Sequence, residues 1–385
     1  MRVLLTSGYS HPSHFRKLEL LADAPDVELL NLQIYKERPE GRYPSANGQR
    51  TYMLRHLPTF WPQRDFDPHR AIHIPPRLRL REFKPDIIHS EHEQESLGAA
   101  QLALARTLRT PHTPLLLYSW QNLIRPRSLP VRLICAYTLR AAQHFMCASQ
   151  EAIDVLRQQG YQGGASIIPI VGLDTRFFYP KPVDALRRRL GLEGVVVGYL
   201  GRLVKEKGLD TLLQAVAAAR ETQPNLRLLL VGSGPEQAAL QALADRLGIA
   251  DITVFQAAVN HDQVVDYMNA MDIFVLPSRT TPNWKEQLGR VLYEAMGCNV
   301  AVIGSDSGAI PEVIGDGGIV FREGDITALA DTIRLLAGQD RLCIEVAQRG
   351  YARAISHYSI EHIAQDTLVL WRDLQNPGLN NRNSL

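Results

Sequence analysis

The chain has 385 residues, of which 45% are apolar and 21% charged, and its formal net charge is +2. That balance is ordinary for a soluble globular protein of two or three domains, and no apolar run approaches the ~18 residues that a membrane-spanning helix requires. The four cysteines, Cys135, Cys147, Cys298 and Cys343, are widely spaced and form no C-x-x-C pair, which argues against a zinc site or a disulfide framework and for reduced thiols in a cytoplasmic protein without a signal peptide.

Short apolar runs alternate with amphipathic helical stretches, the pattern of α/β domains built on parallel sheets. In the first half the periodicity predicts strands at Val3–Ser7, Val27–Leu32, Ile87–His89, Leu115–Tyr118, His144–Cys147 and Ser166–Ile168. Helices are predicted at Arg16–Ala22, Glu95–Leu108, Val131–Ala142 and Gln150–Gln159. Residues 36–76 are rich in Pro, Arg and aromatic residues without clean periodicity, so they read as a functional excursion or as short irregular elements. Pro169–Gly194 reads as a linker. The second half is more regular. Strand Val195–Leu200 leads to helix Leu209–Arg220, Arg227–Val231 to Glu236–Leu247, Ile252–Phe255 to Asp262–Asn269, and Ile273–Leu276 to Leu288–Gly297. A last helical stretch covers Glu361–Leu374. The expected domains are therefore 1–175, 176–360 and a C-terminal segment, 361–385.

Charge is uneven along the chain. Residues 1–178 carry 22 Lys and Arg against 16 Asp and Glu, and the remainder 20 against 24. A basic first half suits an anionic partner. Two segments there interleave Arg with apolar residues, Arg77–Arg81 and Arg125–Ile134, the pattern of a face that meets an anionic membrane. No feature points to nucleic acid.

Chemistry concentrates at the carboxyl ends of the second-half strands, where doubly wound sheets bind ligands. Trp284 to Met296 holds two carboxylates, Glu286 and Glu294, separated by seven residues. Glu286 sits in the loop that opens a helix, and Glu294 on that helix. The backbone N–H groups of Leu288, Gly289 and Arg290 at the helix start suit an anion such as a phosphate. The carboxylates would accept hydrogen bonds from hydroxyls attached to it, and a phosphate flanked by hydroxyls describes a nucleotide-sugar. Gly201 to Gly208, after strand Val195–Leu200, places Arg202 and Lys207 beside another helix start, where two cations can neutralise a diphosphate.

Together these segments resemble the E-x7-E and G-R-x4-K-G motifs of the retaining family-4 glycosyltransferases, which have the GT-B fold. The resemblance continues through Glu294–Val302 and Gly304–Glu312, with departures at Asn299 and Ala301. It implies two Rossmann-like doubly wound domains facing a central cleft that holds the donor. It also implies transfer of a sugar from a UDP- or GDP-linked donor to a glycan, glycolipid or small-molecule hydroxyl, in bacterial polysaccharide or glycolipid biosynthesis. Arg202 and Lys207 would hold the diphosphate, Glu286 the sugar and Glu294 the ribose. Gly232, in Val231–Glu236, would lie near the donor, and backbone near Phe255–Val259 would select the base. In the first half His89 matches the family's histidine-containing cluster, although a hydrogen-bonded structural histidine is the equal alternative. Trp120 stands where many members have a sugar-facing His, and Gly8 where they have a Gly-rich loop. The C-terminal segment would pack back on the first domain.

Gly232-Ser233-Gly234 is too short for a dinucleotide fingerprint, because the sixth position is Gln237. Asp65-Phe66-Asp67 matches the text of metal-dependent transferases but lies at no clear strand end, so no metal or other cofactor is expected. Two rival readings are a sugar-nucleotide epimerase and a catalytically inactive nucleotide-sugar-binding protein. The localisation expected is cytoplasmic, with reversible association at the inner face of the plasma membrane through the first domain.

Overall fold

The computed structural model describes residues 1–8, 12–34, 38–60, 72–73 and 78–376. It divides into two units, Met1–Gly172 with Ile360–Leu385, and Leu173–Ser359.

The first unit runs β1 (Arg2–Ser7), α1 (Pro12–Asp23), β2 (Glu28–Gln33), β3 (Gly41–Pro44), β4 (Thr51–His56), β5 (Thr59–Phe60), β6 (Ile72–His73), α2 (Leu80–Phe83) and β7 (Ile87–Ser90). It continues through α3 (Leu97–Arg109), β8 (Leu115–Ser119), α4 (Leu129–Ala141), β9 (His144–Cys147), α5 (Gln150–Gln158) and β10 (Gly164–Ile167). Its sheet has the order β10-β9-β8-β7-β1-β2-β4-β3, parallel except where β3 meets β4. Successive side chains of a strand face opposite sides. Val3, Leu5 and Ile87 therefore join one core with Leu18, Ile363 and Trp371, while Leu4 and Ile88 join another with Leu102 and Leu156. Both faces are covered, which is why these strands read as unbroken apolar runs.

Within 36–76 the structure places β3 and β4, and β4 extends the main sheet by pairing parallel with β2. The inward positions Tyr52 and Leu54 are fully buried. This alternation is only six residues long, which is why the Pro- and Arg-rich surroundings hid it. Asp65 and Asp67 lie outside the described residues. The final helix, Ile360–Gln375, packs against α1.

The second unit contains α6 (Asp184–Arg189), β11 (Val195–Leu200), α7 (Leu209–Arg220), β12 (Leu226–Val231), α8 (Gln237–Arg246), β13 (Thr253–Gln256), α9 (His261–Asn269) and β14 (Ile273–Leu276). It ends with α10 (Arg290–Gly297), β15 (Ala301–Ser305), α11 (Ile310–Ile314), β16 (Ile319–Phe321), α12 (Ile326–Gly338) and α13 (Asp340–Arg353). Its sheet, β13-β12-β11-β14-β15-β16, is wholly parallel. The final helix of the chain is α14 (Ile360–Gln375). The stretch predicted as a plain linker contains α6, anchored by a two-pronged contact from Arg187 to Asp272 at 3.0 and 3.1 Å. Two doubly wound α/β units are thus present, as the sequence implied.

The first unit buries a charged pair. Lys17 and Glu91 are 1% and 0% exposed, and Lys17 Nζ lies 3.4 Å from both Glu91 Oε1 and the carbonyl of Ile170. His14 Nε2 faces the second Glu91 oxygen at 3.7 Å. Burial pushes the Glu91 carboxyl up to about 7 against the pull of Lys17, and pushes the Lys17 ammonium down against the pull of Glu91. Removing one member of such a pair strands the other in an apolar environment. Lys17→Met should therefore lower stability by about 3–5 kcal/mol, and adding Glu91→Leu should recover most of the loss. Urea unfolding followed by circular dichroism checks this. A single variant as stable as the parent would show that the pair is not a structural constraint.

Candidate active site

In the second unit β12 and β13 lie on one side of β11, and β14 to β16 on the other. The order reverses between β11 and β14, and at such a reversal the loops leaving neighbouring strand ends diverge and open a crevice. The loop after β11 carries Arg202 and Lys207, and the loop after β14 carries Glu286. Gly232 follows β12, and Val259 follows β13.

Close backbone approaches fix these loops. Gly208 is left-handed (φ 63°), and a Cβ on it would meet the Pro277 carbonyl at 2.1 Å. The Arg279 N–H donates to the Glu206 carbonyl at 2.8 Å, so the β11 and β14 loops are joined directly. Gly232 brings the β12 loop within 1.8 Å, measured from its would-be Cβ, of the Gly201 carbonyl. The β15 loop arrives in the same manner. Gly308 (φ 58°) has no room for a Cβ, which would fall 2.0 Å from the Glu286 carbonyl, and that carbonyl accepts from the Ala309 N–H at 3.0 Å.

The side chains then meet. Lys207 Nζ donates to Glu286 Oε2 at 2.5 Å, and Ser278 Oγ donates to the same oxygen at 3.0 Å. The Trp284 ring centroid lies 4.9 Å from Lys207 Nζ, a cation–π distance. Trp284 closes a tight turn on Thr281 with Pro282 between them, its carbonyl accepting from the Thr281 N–H at 2.7 Å. Arg202 is exposed, and its carbonyl accepts from the buried Tyr199 hydroxyl at 2.8 Å.

Helix α10 begins at Arg290 rather than Leu288, because Gly289 takes a left-handed conformation (φ 68°) as its N-cap. Leu288 is buried. A Cβ on Gly289 would stand 3.5 Å from Glu286 Cγ, so the Glu286 side chain lies against the start of α10. One turn into the helix, Glu294 Oε1 accepts from Arg290 at 3.3 Å. Burial draws the Arg290 pKa down, but Glu294 and Tyr293 outweigh it and the net shift is upward. At the end of the helix Asn299 has φ 58°. Asn is among the non-glycine side chains that best tolerate this left-handed conformation.

Three predicted residues, Gly8, His89 and Trp120, belong to the first unit. Gly8 follows β1. His89, on β7, is fully buried, and its Nδ1 accepts from the indole N–H of Trp371 at 3.3 Å. Burial holds its pKa well below the ordinary value. Trp120, after β8, packs edge-on to Tyr118 with ring centroids 5.1 Å apart. Among the described residues no group of three or more His, Cys, Asp or Glu is arranged to hold a metal ion.

Sequence reasoning assigned no role to Ser278 or Trp284. Ser278 is an ordinary residue after a strand and gives no signal. Trp284 lies inside the motif, but only the fold carries it to Lys207.

Two largely parallel sheets, each wound on both faces, with charged side chains gathered at one strand-order reversal, are the arrangement of nucleotide-binding α/β folds. The chain belongs to the glycosyltransferases: residues 26–170 match Glycosyltransferase Family 4 and residues 184–353 match Glycosyl transferases group 1. It is 34% identical to the GDP-mannose-dependent alpha-(1-6)-phosphatidylinositol monomannoside mannosyltransferase of Mycolicibacterium smegmatis, over 49% of this chain and 51% of the relative. It is 35% identical to the D-inositol 3-phosphate glycosyltransferase of Streptomyces avermitilis, over 50% of this chain and 44% of the relative. The chain thus spans about half the length of the curated relatives it matches. The HepE protein of Anabaena, solved in complex with UDP, has the same fold at a TM-score of 0.72 and 20% identity, over 97% of this chain and 100% of that one.

The seat of Glu286 can be tested without substrate. Gly308→Ala should destabilise the protein by on the order of 1–3 kcal/mol, because the new methyl must displace the Glu286 carbonyl. Gly248→Ala shares the left-handed strain (φ 66°) but has nothing within 4 Å. The loss at Gly308 should exceed that at Gly248, as read from denaturant midpoints. Equal losses would mean that the approach to Glu286 is slack.

Proposed function

We propose that the protein transfers a sugar from a nucleoside-diphosphate sugar to a hydroxyl of a glycan, glycolipid or small molecule, with retention of configuration and without a metal. One observation carries this reading: loops from β11, β14 and β15 converge on Lys207 and Glu286 beside the N-terminus of α10, and Arg202 lies on the same loop as Lys207. Arg202 and Lys207 would neutralise charge growing on the leaving diphosphate, and such preorganised stabilisation is the largest single catalytic term in most enzymes. Glu286 would hold sugar hydroxyls and Glu294 the ribose. The bond from the anomeric carbon to the phosphate breaks as the acceptor oxygen attaches on the same face, and the departing phosphate takes the acceptor proton. The relatives named above support an acceptor that is a polyol or a lipid-linked glycan.

Turnover of UDP- and GDP-linked sugars in the presence of EDTA tests this. Arg202→Ala and Lys207→Ala should each lower kcat by about 10²–10³, and the double variant by less than the product, since both serve one diphosphate. Losses under threefold in both would remove the site. Product formed from donor alone would favour an epimerase, and tight donor binding with no turnover an inactive binding protein.

We also propose that the first unit associates with an anionic membrane surface. No helix among the described residues is long and apolar enough to cross a membrane. Helix α4 exposes Leu129 (65%) and Leu133 (63%), carries exposed Arg132 and Arg140 and no acidic side chain, and follows exposed Arg125. Arg127 is bound to Glu95. The Arg77–Arg81 segment does not share this character: Leu78 and Leu80 are buried, Arg79 pairs with Glu82 at 2.9 Å, and Arg77 lies outside the described residues. Each basic residue near an anionic surface contributes about 1 kcal/mol. Co-sedimentation with anionic but not neutral vesicles is expected, weakened by salt and by neutralising Arg125, Arg132 and Arg140. Equal binding to neutral vesicles, or none to anionic ones at low salt, overturns the proposal.

A further inference from the structure

The ammonium of Lys207 is held from two sides by groups of different kinds. Glu286 Oε2 is a charged acceptor at 2.5 Å. The Trp284 ring, at 4.9 Å, attracts a cation through its π face and carries no charge. An incoming diphosphate competes with the first group, because both are anions seeking the same N–H donors. It does not compete with the second.

We propose that Glu286 is the resident counter-ion of Lys207, that a nucleoside diphosphate takes Lys207 over by displacing this carboxylate, and that Trp284 is a positioning residue that keeps the ammonium in place during the exchange. The inference rests on the reading of this crevice as the donor site, and extends it. Displacement need not disorder Glu286. The Ser278 hydroxyl still donates to its Oε2, and Gly289 and Gly308 still fix its Cγ and its carbonyl. The position on Oε2 that Lys207 vacates can then accept from a hydroxyl of the sugar that the diphosphate brings. No proton changes hands, since one ion pair replaces another. The exchange also runs in reverse. Once the sugar has left, Glu286 regains freedom to compete for Lys207, which weakens the hold on the product diphosphate and favours its release.

Trp284 is suited to its part by the turn that presents it. Thr281 and Trp284 exchange backbone hydrogen bonds at 2.7 and 3.3 Å around Pro282. Pro fixes its own φ and is favoured at the second position of such a turn. The turn therefore fixes the backbone from which the indole projects.

The test is calorimetric titration of UDP and GDP, with uridine and guanosine as phosphate-free controls, into the parent protein, Glu286→Gln, Trp284→Leu, Trp284→Phe and Lys207→Ala. Circular dichroism checks folding. Glu286→Gln should bind the diphosphate about two- to tenfold more tightly, because a neutral amide is a poorer competitor for the ammonium. Trp284→Leu should weaken diphosphate binding about 2- to 30-fold, the range for losing a cation–π contact, and leave nucleoside binding unchanged. Trp284→Phe should retain most of the affinity, which a purely packing role for the indole would not predict. Unchanged or weaker diphosphate binding in Glu286→Gln overturns the exchange. Equal losses for nucleoside and diphosphate in Trp284→Leu overturn the positioning role. Should Trp284→Leu fail to fold, Trp284→Phe and Glu286→Gln still decide. Undiminished diphosphate affinity in Lys207→Ala would overturn the donor site itself. A loss there without a gain in Glu286→Gln overturns only the exchange.

Discussion

A parallel sheet delivers every strand's chain to the same edge, and where the strand order reverses the connecting loops part and leave backbone unshielded by side chains. In the second unit that point lies between β11 and β14, and the candidate site depends on how closely the loops there approach one another. Three of the approaches, at Gly208, Gly232 and Gly308, are shorter than any Cβ permits. Backbone proximity comes first in this arrangement. It brings Lys207, Ser278, Trp284 and Glu286 within reach from two loops whose residues are up to 79 positions apart, and the ion pair follows from it. A helix start alone would supply N–H groups. The glycines determine which side chains share them.

Much of this unit was legible in the sequence because local pattern and final structure agree there. Strand β11 was read with the boundaries it has in the structure, as were α7 and β14. The two strands are apolar runs bounded by Gly, Pro or Asp, and α7 is an amphipathic stretch that starts directly after Gly208, the signals on which periodicity relies. The start of α10 was misread by two residues, since Gly289 ends one conformation and Arg290 begins the next, and an apolar Leu288 extends the helical pattern past the true cap. Helix α6 was missed because six residues complete fewer than two turns, and its anchor, the Arg187 contact to Asp272, spans 85 positions. The β3–β4 pair was missed for the same kind of reason. Its stabilising partner is β2, and nothing local announces a strand that adds to a sheet edge formed earlier in the chain.

The first unit repeats this topology with different surroundings. Its strand order also reverses, between β1 and β7, and polar residues also gather at the end of β7. Here they are enclosed. Trp371 of α14 covers His89, and Lys17 of α1 reaches Glu91. His89, for which the sequence left a site role and a structural role equally open, accepts from a tryptophan 282 positions later in the chain. Sequence proximity to a strand end indicates where crevices form, but whether the crevice stays open depends on helices that local reading cannot position.

The two lysine–glutamate pairs make the same distinction in energetic terms. Lys17 and Glu91 are almost fully enclosed, so any other anion reaching Lys17 would have to shed its hydration without compensation, and the pair can only be structural. Lys207 and Glu286 keep 14% and 12% of their side-chain surface. That residual exposure lets water and small anions approach, lowers the energy of separating the two charges and makes replacement by another anion feasible. The contact at Lys207 is nonetheless the shorter one, at 2.5 Å against 3.4 Å. Distance alone would rank it as the firmer bond. Solvent access reverses that ranking, because the effective dielectric around a pair, more than its length, decides how strongly each charge depends on the other.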